Sequence, residues 1–90
     1  AEVEQVLFQH PAVADVAGVG MADERWGEVG KAYICLSDGA VRPGDDELRA
    51  FCRKRLAEYK VPKTLEVMAA LPRNALGKVQ KQELRDHARR

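Results

Sequence analysis

Apolar residues recur along the chain at two different spacings, and the switches between them divide it into short elements. From Glu2 to Gln9, Val3, Val6 and Leu7 fall at i, i+3 and i+4, one face of a short helix. His10-Pro11 ends it, because the residue before a proline is pushed out of the α region. Val13 to Val19 is rich in Val and Ala and predicts a strand whose end is loosened by Gly18 and Gly20. Met21 to Gly30 carries charges and two glycines around Trp26, which predicts a loop with Trp26 largely buried against the sheet. Lys31 to Leu36 alternates cleanly, with Ala32, Ile34 and Leu36 on one face and Lys31, Tyr33 and Cys35 on the other. If the two strands pair, they form an antiparallel hairpin with a long loop.

Ser37-Asp38-Gly39 and Pro43-Gly44 mark the next connection. A helix is predicted from about Asp45, where three acidic residues meet the positive end of its dipole. Its inner stripe is Leu48, Phe51, Cys52 and Leu56, and its last turns carry Arg53, Lys54 and Arg55. Pro62 punctuates, and Thr64 to Met68 predicts a third strand with Leu65 and Val67 inward. Leu71 to Lys78 reads as a Pro/Arg/Asn/Gly loop, and Gln80 to Arg90 as a polar helical tail. The order helix, two strands, helix, strand, loop, helix gives an α+β fold, a small sheet of about three strands flanked by helices.

Length sharpens this. Ninety residues make one small domain with a thin core, too thin to enclose a whole substrate. No apolar run approaches the roughly 20 residues of a bilayer span. The chain begins without Met inside a helical pattern and reads as a piece of something longer. Cys35 and Cys52 have no metal-type spacing and are too few for a disulfide scaffold, so they read as buried reduced thiols of a cytoplasmic protein. Residues 1–52 hold four basic and ten acidic side chains, whereas residues 53–90 hold eleven basic and four acidic. The C-terminal part therefore faces an anionic partner or is a solvated basic face.

Familiar catalytic sets are missing. His10 and His87 stand at opposite ends with surface or packing roles, and no Ser/His/Asp or Cys/His set accompanies them. Asp45-Asp46-Glu47 is explained by a helix start, so no metal ligands are assigned. Gly77-Lys78 is followed by Val79, not by the Ser or Thr of a phosphate-binding loop. A nucleic-acid module is disfavoured, because no aromatic interleaves with Arg73, Lys78, Lys81 or Arg85. What remains is Leu71-Pro72-Arg73-Asn74-Ala75-Leu76-Gly77-Lys78, a means of holding one ammonium group on a tight exposed turn.

That loop, continued as LPRNALGKVQKQELR, resembles the C-terminal signature of the adenylate-forming enzymes, the superfamily of acyl-CoA synthetases, luciferase-like enzymes and peptide-synthetase adenylation domains. The likeness runs upstream through AEVEQVLFQHPAVADVAGVGMADERWGE and through AEYKVPK, and so covers essentially the whole chain. PRNALGKVQK looks more like acyl-CoA synthetases than peptide-synthetase or aryl-acid adenylation domains, the alternative reading.

The resemblance implies the mobile C-terminal lid of such an enzyme over residues 1–90, with a large N-terminal domain outside this chain. It implies ATP, a carboxylic acid and CoA as substrates, with Mg2+ and ATP held mainly by that other domain. Lys78 matches the adenylation lysine, with Pro72 and Gly77 supporting its loop. Arg53 matches a position that meets a CoA phosphate in relatives; serving only as a partner for the helix dipole is the alternative. A lysine acetyltransferase is implied as a partner, since acetylation would remove the charge of Lys78. The lid alone is expected to be inactive. A free-standing scaffolding domain is the competing class.

Overall fold

A computed structural model describes residues 2–25 and 27–88. Trp26, expected to be buried, lies outside them. The elements are α1 (Glu2–Leu7), β1 (Val13–Asp23), β2 (Gly27–Leu36), α2 (Asp45–Arg53), a 3-10 turn (Glu58–Lys60), β3 (Thr64–Val67) and α3 (Lys81–Ala88). The three strands form one sheet in the order β1-β2-β3. β1 and β2 are antiparallel, while β2 and β3 run parallel. A parallel pair needs a crossover, and α2 supplies it.

The sheet is covered on both sides, and β2 shows why its alternation matters. Ala32 and Ile34 enter one cluster, with Leu7 of α1, Leu48 and Cys52 of α2, and Leu65 of β3. Tyr33 and Cys35 point the other way, into a smaller cluster with Ala17, Val19, Leu71 and Leu84. Val13 and Val16, three apart, still share the first cluster. A shift of register between Val13 and Asp15 makes that possible, since a bulge offsets the two-residue period of a strand. Gly18 lets α1 lie close: a Cβ there would sit 3.0 Å from Val3 Cγ1, and its N–H donates to Glu4 Oε2 at 2.9 Å.

Four expectations need correcting. The antiparallel hairpin forms, but its loop is short: pairing continues through Gly20↔Gly30 to Asp23↔Gly27, where a loop was expected from Met21 to Gly30. These residues bury little, so backbone hydrogen bonds rather than an apolar pattern hold them. The second helix ends at Arg53, leaving Lys54 and Arg55 in the turn beyond it. Val67 is only partly buried, on an edge strand that ends one residue earlier than expected. The C-terminal helix begins at Lys81, and it is more than a polar tail. Its Leu84 is 1% exposed within the second cluster, and Tyr33 Oη donates to the Leu84 carbonyl at 3.1 Å.

Both cysteines are buried and free, one in each cluster. Burial pushes both thiols up; Asp15 adds to this at Cys35, and Arg55 opposes it at Cys52. The histidines pack as expected. His10 Nδ1 accepts the Ala12 N–H at 3.1 Å, and its ring meets Phe51 edge-on.

His87 Nε2 lies 2.9 Å from Glu66 Oε2, while Lys31 Nζ donates to Glu66 Oε1 at 3.1 Å, tying α3 to the sheet. The hydrogen bond from His87 holds the Glu66 carboxyl below the usual carboxylate range; burial opposes this and Lys31 reinforces it. A carboxyl lowered in the folded state contributes stability above its unfolded pKa, which is lost as pH falls through the folded value. Glu66→Gln should therefore flatten the acid limb of melting temperature against pH, modestly because the group is part-exposed. Parallel acid limbs in the two proteins would show that the contact does not form in solution.

Candidate functional site

The loop between β3 and α3 is braced at both ends. Leu71 is buried in the second cluster, and Val79 packs against it. Between them the chain turns back on itself as a small hairpin. Arg73 and Val79 pair antiparallel, the Gln80 N–H donates to the Pro72 carbonyl at 2.8 Å, and the Asn74 N–H donates to the Lys78 carbonyl at 3.0 Å. The Pro72 carbonyl thus helps close the loop.

The tip is built from Asn74 and Gly77. Asn74 Oδ1 accepts the N–H groups of both Leu76 and Lys78, each at 3.0 Å. Gly77 sits at φ +85°, a conformation that costs any residue with a Cβ. Nothing lies within 4 Å of a Cβ built there, so the requirement is conformational rather than one of space. Arg73 forms the brace: one guanidinium nitrogen donates to the Gly77 carbonyl at 2.6 Å, and another pairs with Asp15 on β1. The loop carrying Lys78 is therefore tied to the sheet by a charge-assisted contact.

Lys78 itself is exposed, and among the described residues its ammonium has neither a hydrogen bond nor an ion pair. The backbone is held firmly while the charged group is left available. It faces an open depression of about 800 Å³ whose walls carry Arg73, Lys81 and Arg85 as well as Asp15 and Glu4. Lys81 Nζ lies 3.2 Å from Glu4 Oε2. Burial raises the Glu4 carboxyl but is outweighed by its hydrogen bonds, those from the Gly18 N–H and Lys81 among them, so it lies below its usual range.

Arg53 lies elsewhere. It ends α2 and pairs with Glu58 at 3.2 Å, on the edge of a second open depression of about 900 Å³. That depression shares no lining residue with the first. Tyr59, 84% exposed, and Lys63 lie along it. The sequence assigns Tyr59 no role, and its only signal there is an aromatic set between Glu58 and Lys60. Among the described residues no group of three or more His, Cys, Asp or Glu could hold a metal ion. No described helix is long and apolar enough to cross a membrane.

Known proteins share this fold. A 2-succinylbenzoate–CoA ligase of Bacillus cereus is 47% identical over 85 residues, which span 94% of this chain and 17% of that protein. A feruloyl-CoA synthase of Amycolatopsis is 49% identical, with the same coverage of both chains. The o-succinylbenzoate CoA synthetase of Bacillus subtilis, solved with its acyl-adenylate intermediate, superposes with a TM-score of 0.87 at 42% identity, covering 94% of this chain and 17% of that one. The chain thus spans about a sixth of the length of the proteins it matches. The sequence profile of one family matches residues 2–78, ending on Lys78, and the chain belongs to that family, the AMP-binding enzyme C-terminal domain.

Proposed function

We propose that this chain is the lid domain of an acyl-CoA synthetase and that Lys78 serves its first half-reaction. The observation that carries the reading is the ammonium of Lys78, without a partner among the described residues, on a rigidly braced glycine turn. The relatives add support, since those named above are CoA ligases. In the proposed reaction a carboxylate oxygen bonds to the α-phosphorus of ATP and the bond to the β-phosphate oxygen breaks. Pyrophosphate leaves, and acyl-adenylate remains. A thiolate, that of CoA, then attacks the acyl carbon and AMP departs.

Two anions must approach in the first step, and negative charge gathers on the α-phosphoryl oxygens. A preorganised ammonium favours both events. In the second step the bonds made and broken are at the acyl carbon, with the electron pair leaving on AMP and no bond changing at phosphorus, so the lid withdraws Lys78 and presents another face. Arg53, Tyr59 and Lys63 border a depression separate from the first, and Arg53 would meet a CoA phosphate there once Glu58 releases it. The described residues offer no ligand set for Mg2+, which is assigned to the rest of the longer protein, and no step here is routed through it. Exposure also leaves Lys78 open to a lysine acetyltransferase, which would cancel its charge.

The test is pyrophosphate release by the longer protein across a panel of carboxylic acids, with and without CoA. Acid-dependent release, followed by acyl-CoA formation when CoA is added, is expected. Transfer only to a carrier-protein thiol, or no release with any acid, would overturn the reading.

Arg73 gives a second expectation. Arg73→Ala removes both the bond to the Gly77 carbonyl and the tie to Asp15. Adenylate formation should fall by roughly ten-fold at unchanged KM for the acid, because a loosened loop presents the ammonium less often. An equal fall in thioester formation would make Arg73 a general stabiliser of the fold instead.

A further inference from the structure

The depression beside Lys78 has a charge balance that one catalytic ammonium does not account for. Four cations and two carboxylates line it. Arg73 is closed by Asp15 and Lys81 by Glu4. Lys78 and Arg85 are left, and among the described residues neither has a hydrogen bond or an ion pair on its charged group. Elsewhere the surface closes its arginines locally, as Arg42 with Asp45 at 2.9 Å and Arg49 with Asp46 at 2.8 Å. Two open cations in one concavity are therefore a departure from the pattern of this fold, and a concave surface focuses their field outward.

Arg85 is also well held. It follows Leu84, whose side chain is buried and whose carbonyl accepts Tyr33 Oη, so its backbone is pinned to the sheet. It lies four residues after Lys81, hence on the same face of α3, and its side chain is only partly exposed. A guanidinium presents a planar fork that takes two phosphate oxygens at once, whereas an ammonium acts as a point charge. The pair thus offers one group for a single phosphoryl oxygen and one for a doubly anionic neighbour.

The geometry points to a polyphosphate seat, in which Arg85 holds the β- and γ-phosphates of ATP, the departing pyrophosphate, beside the α-phosphate attended by Lys78. The inference rests on the proposed role of Lys78 and adds a second residue, a second phosphate contact and a direction to the groove. Pyrophosphate, rather than the phosphates of CoA, is the occupant because Arg85 shares its concavity with Lys78. The depression bordered by Arg53 and Lys63 shares no residue with it.

The experiment is ATP–pyrophosphate exchange by the longer enzyme, with labelled pyrophosphate varied. Arg85→Gln should raise the KM for pyrophosphate by about ten-fold or more, the effect of losing a charge-assisted contact. The KM for the acid, and thioester formation from supplied acyl-adenylate plus CoA, should stay unchanged. Arg85→Lys should fall between, keeping charge but losing the fork. An unaltered KM for pyrophosphate in both variants overturns the assignment, as does a raised KM for CoA in its place. Loss of both half-reactions alike in Arg85→Gln would make Arg85 a structural residue and also overturn it. Normal exchange in Lys78→Ala would instead sink the reading of the loop; a defective Lys78→Ala beside a normal Arg85→Gln sinks this inference alone.

Discussion

Replacing Lys78 with alanine in the longer enzyme should lower adenylate formation by roughly 10²–10³ and leave thioester formation intact. The magnitude is that of removing one preorganised group aimed at charge developing in a transition state. The structure bears on why this group is preorganised. Asn74 Oδ1 binds the Lys78 N–H, and Arg73 grips the carbonyl before it, so the backbone needs no reordering when the ammonium meets its target. Arginine should not rescue, because a planar fork on a longer side chain cannot occupy the place of a compact point charge. The half-reactions are assayed separately, the first from ATP and acid, the second from supplied acyl-adenylate and CoA. Equal losses in both, or none in either, would sink the assignment.

The parts of this domain that the sequence revealed are those where burial and periodicity coincide. β2 is legible because Ala32 and Ile34 enter one core while Tyr33 and Cys35 enter the other, so its alternation is enforced from both sides. The outer half of the β1–β2 hairpin is not legible. Its pairing from Gly20↔Gly30 to Asp23↔Gly27 is carried by backbone groups, and those residues leave no apolar pattern. Lys78, Pro72 and Gly77 stood out because a proline and a glycine beside a cation are punctuation. The brace was hidden: Asp15 lies 58 residues from Arg73, and only the fold brings them together. Arg85 was hidden for the same reason. Whether a surface cation is paired depends on which carboxylates the sheet and helices deliver to it: among the described residues Glu4 is delivered to Lys81 and none to Arg85.

Leu84→Ala should cost about 2–5 kcal/mol of stability, the range for truncating a buried leucine. Among the described residues the second cluster has six buried members, and Leu84 is the one that α3 contributes. Its loss leaves a cavity against Ala17, Val19 and Tyr33 that a small cluster has few side chains to fill. A domain of this size has a total stability of about 5–15 kcal/mol, so the change removes a large share of it. The melting temperature should fall by about 10 °C or more. Tyr33 Oη bonds to a backbone carbonyl rather than to the leucine side chain, so that contact survives the substitution and does not confuse the comparison. Leu76→Ala is the control: at 93% exposed on the tip of the loop, it should change stability by no more than about 0.5 kcal/mol. Hydrogen exchange locates the effect. In Leu84→Ala the amides of α3 should lose protection before those of β2, because β2 still packs on the first cluster through Ala32 and Ile34. Equal melting temperatures for the two alanine variants would mean that α3 does not dock on the sheet, and the brace beneath Lys78 would then lack its far anchor.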